Sequence, residues 1–98
     1  MQHRLPPPPP RADLHIGSRE LPAVPVHLGG HEASVVVRPG PRVEEQGCLR
    51  LDWGDGRRTD LDVRIRRVAG AGPVAEMEIC GVAGDWRPFL EYLAQAAA

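Results

Sequence analysis

From Leu14 onward, apolar residues recur at every second position, the period of a half-buried strand. Leu14 and Ile16 alternate with His15, and Gly17-Ser18 predicts a turn. Val24, Val26 and Leu28 share one face, with Ala23, Pro25 and His27 on the other. Pro25 has no N–H to give a ladder, so this strand reads as an edge strand or as one carrying a bulge. Gly29-Gly30 marks a bend. Ala33, Val35 and Val37 then alternate until Arg38-Pro39-Gly40-Pro41 breaks the run.

The clearest pattern runs from Leu49 to Arg67. Leu49, Leu51 and Trp53 face one way, and Arg50 and Asp52 the other. Gly54-Asp55-Gly56 supplies a turn in which positive φ is available. The return strand puts Leu61, Val63 and Ile65 inside and Asp62, Arg64 and Arg66 outside. After a Gly/Pro turn at 69–73, Ala75, Met77 and Ile79 alternate with Glu76 and Glu78. Antiparallel pairing would set these two acids opposite Arg64 and Arg66.

Beyond Gly84 the period becomes helical. Asp85 is an N-cap candidate, and Pro88 falls in the first turn, where a missing N–H costs little. Trp86, Phe89, Leu90, Leu93 and Ala97 define one apolar stripe. That spacing assigns Trp86 to the core rather than to a partner anchor. A helix over 86–96 with this payload must dock on an apolar surface, such as the open end of a small barrel. The predicted class is mainly all-β: six short antiparallel strands and one C-terminal helix.

Composition refines the domain boundaries. The chain has 98 residues with 11 Gly and 11 Pro, and five of the prolines form one block, Pro6 to Pro10. Such a block favours extended polyproline II and cannot donate to a sheet. Residues 1–13 therefore read as a flexible proline-rich tail, and 14–98 as one domain. At that size the core is thin, which argues against a large internal active-site cavity. No apolar run approaches the roughly 20 residues that span a bilayer, so no membrane insertion is expected. The N-terminus lacks the apolar stretch of a signal peptide. Net charge is −1, which disfavours a nucleic-acid binder held by phosphate contacts. Cys48 and Cys80 make no disulfide framework, and a cytoplasmic location is expected.

Catalytic chemistry finds little support. Asp52, Asp55, Asp60 and Asp62 crowd the hairpin but lack calcium-loop spacing, and the turn accounts for them. His27 and His31 are four apart across a glycine bend, not along a helix. No Gly-x-Ser-x-Gly surrounds Ser18 or Ser34, and no phosphate-cradling loop with lysine exists, since the chain has no Lys. No enzyme activity, cofactor or metal ligand is expected.

The layout resembles the PilZ domain family over roughly Leu14 to Leu93. The residues that carry the likeness are Leu14-His15-Ile16, the run Leu21 to Leu28, the glycine in Gln46-Gly47-Cys48-Leu49-Arg50-Leu51, Cys80-Gly81-Val82, and the helix from Trp86 to Leu93. The resemblance implies a six-stranded antiparallel barrel with a terminal helix, acting in bacterial cyclic di-GMP signalling. The family's ligand motifs are Arg-x-x-x-Arg before the first strand and Asp/Asn-x-Ser-x-x-Gly near the second and third. Arg11 stands at the second arginine, while Pro7 occupies the first. His27, Gly29 and Glu32 stand at the Asp/Asn, Ser and Gly positions. Arg11 is thus the ligand-binding residue the resemblance carries over, because guanidinium makes paired bonds to phosphate and guanine. The alternative role is a nucleotide-independent protein–protein adaptor.

Overall fold

The structure, a computed structural model, describes residues 7–97. Six strands appear in order: β1 (Arg11–Ile16), β2 (Arg19–Leu28), β3 (Glu32–Val37), β4 (Gln46–Asp52), β5 (Arg58–Ala69) and β6 (Val74–Gly84). A helix, α1 (Trp86–Ala97), follows β6. The strands form a closed antiparallel barrel in the order β1-β2-β3-β6-β5-β4. Pairing of β1 with β4 closes it, with Leu14 opposite Leu49.

Period-two alternation builds the interior. Five strands turn apolar residues inward at alternate positions: Leu14 and Ile16, Val35 and Val37, Leu49 and Leu51, Leu61, Val63 and Ile65, Ala75 and Met77. Burying such a side chain stabilises by about 1.5–3 kcal/mol for the larger ones. Pairs such as Leu49–Leu61 and Ile65–Met77 meet directly across neighbouring strands.

Strand β2 departs from the expected alternation. Ala23 and Leu28 point into the core, while Val24 and Val26 are exposed. The ladder with β3 shifts register between Pro25 and His27, inserting an extra residue. A bulge of this kind reverses which face each side chain takes. The bulge alternative for Pro25 therefore holds, and the edge alternative does not, because β2 is flanked by β1 and β3.

The β5–β6 ladder shifts register twice, between Asp62 and Val63 and between Ile65 and Arg67, and the latter shift lets Arg66 and Arg67 both face solvent. Arg64 lies opposite Glu78 and Arg67 opposite Glu76, while Arg66 reaches Glu78 through Nε at 2.8 Å. The expected charge complementarity is present, with one arginine reassigned.

The barrel begins before Leu14. Strand β1 starts at Arg11, and Pro10 is buried. Prolines 7 and 8 line a shallow groove with Trp53, Pro88 and Tyr92. The remainder of the predicted tail, residues 1–6, lies outside the described residues.

Helix α1 docks through Phe89, with Tyr92 and Leu93 packed against the core. The rings of Trp53 and Tyr92 meet at 5.7 Å. Trp86 and Leu90 are 52% and 51% exposed, so the docked face is rotated away from the predicted stripe and Trp86 is not core. Arg87 lies over the Trp86 ring instead, at 5.6 Å. Asp85 does stand immediately before the helix, and its N–H donates to the Arg58 carbonyl at 2.9 Å. No helix is long and apolar enough to cross a membrane among the described residues.

Candidate functional site

The β4–β5 turn and the start of β1 meet at one end of the barrel. Registers place Arg11 opposite Asp52 and Asp52 opposite Arg58. Arg11, Asp52 and Arg58 therefore form a row across three adjacent strands, all with exposed side chains. Arg57 lies beside them at the end of the turn. Gly54 and Gly56 take φ of 87° and 85°, a left-handed conformation that glycine adopts without a Cβ penalty.

The turn's carboxylates are engaged locally. Asp52 Oδ1 accepts the Gly54 N–H at 2.8 Å. Asp55 accepts the Arg57 backbone N–H at 3.1 Å and its Nε at 2.7 Å. These contacts, the backbone bond first, hold the Asp55 carboxyl below its ordinary range. Asp60 is bound on the barrel wall by Arg50 Nε at 2.9 Å. Asp52 and Asp55 thus serve the turn, whereas Asp60 and Asp62 belong to strand β5 and not to the turn itself.

Among the described residues, neither Arg11 nor Arg58 has a carboxylate within 4.0 Å. An open cleft of about 460 Å³ is lined by Arg11, Asp52, Gly54, Gly56, Arg57 and Arg58. On the other side of Arg11 a second groove of about 550 Å³ runs between Pro9-Pro10 and the Pro22–Pro25 stretch of β2. Arg11 is shared by both. A local excess of guanidinium on a chain of net charge −1 is suited to a bound anion.

The other motif positions stand apart. His27 and Glu32 flank the β2–β3 connection, 3.9 Å from each other, and neither lines the Arg11 cleft. Arg58 and Arg57 are the site residues that the sequence did not single out. Their signal was the doubled arginine directly after the Gly-Asp-Gly turn, but its relation to Arg11 depends on the β1–β4 seam.

A different convergence lies on the outer wall. Asp13, His15 and Glu20 bring one ligand atom each to within 4.8 Å of one another. His27 and His31 join no such group among the described residues. Cys48 and Cys80 are free thiols. Burial and then the charge of Asp60 push the Cys48 thiol up, disfavouring its thiolate form.

No family model, no curated protein and no solved structure matches this chain.

Proposed function

We propose that the chain is a PilZ-like signalling barrel whose Arg11 cleft takes a cyclic di-GMP-type ligand. The observation that carries this reading is the row Arg11–Asp52–Arg58, with Arg57 beside it, in which two guanidiniums have no carboxylate within 4.0 Å among the described residues. Cyclic di-GMP is a dianion. Two arginines on β1 and β5 can each bond one phosphate or a guanine edge. Asp52 opposes that charge, so its engagement by the Gly54 N–H bears on the site. The role is recognition, not catalysis.

Calorimetric titration of cyclic di-GMP into the wild type, Arg11→Ala and Arg58→Ala tests it. Micromolar or tighter binding is expected, with each substitution weakening it about tenfold or more, as for loss of a charge-assisted bond. Binding that survives both substitutions would place the ligand elsewhere on the barrel. Silence at high nucleotide concentration would remove the ligand altogether.

That second outcome favours the nucleotide-independent adaptor. Its support is the exposed apolar face of Trp86 and Leu90 on α1. Large exposed aromatics concentrate binding energy at protein interfaces.

A further inference from the structure

We propose that Asp13, His15 and Glu20 bind a divalent transition-metal ion of the zinc class on the outer wall of the β1–β2 hairpin. Asp13 and His15 are two apart on β1 and so project from the same face. The turn at Gly17-Ser18 brings β2 back so that Glu20 lies directly opposite His15. Eight residues therefore deliver one imidazole and two carboxylates to one spot, all three from paired strands of a tight hairpin.

The donors are available. His15 Nε2 is buried and has no hydrogen-bond partner. Its nearest carboxylate oxygen, Glu20 Oε1, stands at 3.8 Å, beyond hydrogen-bond reach. Asp13 has no cation within 4.0 Å among the described residues, and Glu20 has His15 alone. Arg50 faces Asp13 from β4 and is the obvious competitor, but its Nε donates to Asp60 at 2.9 Å.

The spacing is that of a site before closure. Two donors at about 2.1 Å from a tetrahedral ion lie roughly 3.4 Å apart. The three ligand atoms, all within 4.8 Å, need only side-chain adjustment on a fixed hairpin. An ion would satisfy the orphaned nitrogen and screen the two carboxylates at once. One imidazole with two carboxylates suits zinc and its neighbours better than calcium or magnesium, which take oxygen alone. Solvent supplies the remaining position. Cys48 lies opposite His15 on β4 but is not among the converging atoms.

The test uses the full chain without a histidine tag. Zinc is titrated by calorimetry into the wild type, His15→Ala, Glu20→Gln, Cys48→Ser and a His27→Ala/His31→Ala double variant, with circular dichroism confirming each fold. One equivalent is expected to bind the wild type. His15→Ala and Glu20→Gln are expected to weaken it by about tenfold or more, and the other two to leave it unchanged. Glu20 is exposed, so Glu20→Gln keeps the test valid if His15→Ala unfolds. No binding by the wild type overturns the proposal. So does binding that persists in Glu20→Gln but is lost in Cys48→Ser or in the double variant.

Discussion

Thr59 is the one fully buried polar residue of the barrel among those described. Its hydroxyl oxygen accepts the Trp53 indole N–H at 2.9 Å and its O–H donates to the Asp85 carbonyl. One side chain thereby joins the β4–β5 turn to the start of α1. Thr59→Val keeps the shape but removes both hydrogen bonds of the buried hydroxyl, to the half-buried Trp53 indole and to the Asp85 carbonyl, a loss of about 1–2 kcal/mol. Urea unfolding reads it directly. Gly47 is a second such position. A Cβ there would overlap the His15 carbonyl oxygen and the Ile16 side chain. Gly47→Ala is expected to lower stability by about 1–3 kcal/mol through overpacking, visible as a lower denaturation midpoint. The sequence marks Gly47 only as a glycine at the head of an alternating run; the cause, the close approach of β1, needed the seam. The same limit applies to the site. Arg11 could be picked out by its place three residues ahead of Leu14, and it proves to be the first residue of β1. Arg58 could not, because nothing local in Arg57-Arg58 says that β1 lies two strands away.

At the level of elements, alternation was legible wherever inward residues keep an even spacing. Strands β1, β3 and β4 do so throughout. In β2 the inward residues Ala23 and Leu28 are five apart, an odd number that only an inserted residue can reconcile. Pro25 signalled the irregularity, but the pattern alone assigned the faces wrongly. The helix shows a related limit. A 3.6-residue period identifies an apolar stripe without fixing how it is rotated on its support. Here the Trp53 ring draws Tyr92 inward, and Trp86 is left in solvent. Phe89→Ala is accordingly expected to cost about 3–5 kcal/mol. Trp86→Ala is expected to cost less than about 1 kcal/mol, including its contact with Arg87. Chemical denaturation of the two variants side by side checks the docked face, and a larger loss at Trp86 would contradict it.

Across the whole molecule, the wet face of the barrel is held by charge. Glu78 is kept below its ordinary range by the hydrogen bond from Arg66 and its charge, Glu45 by the Arg42 backbone N–H with help from Arg19, and Asp55 by the Arg57 backbone N–H. In each case the folded state favours the ionised form. Stability from these groups is present above their unfolded values, about 3.8 to 4.5, and is lost as pH falls through and below that range. Thermal midpoints are therefore expected to vary little for these groups between pH 5 and 7 and to fall below about pH 4.5. Glu78→Gln is expected to flatten that acid decline. Salt should weaken the same contacts, since all are exposed.

Closure of the barrel by β1 on β4 has one more consequence. Arg11 and Arg58 stand on either side of β4, so an anion held by both would span the last joint of the ring. Opening that joint would separate the two arginines, and a bound dianion would hold it shut. Ligand occupancy should then appear as slower amide hydrogen exchange along β1 and β4, a protection pattern centred on Ala12 and Leu51 rather than on the residues in contact. The cleft would report on the integrity of the ring as a lock reports on a hoop.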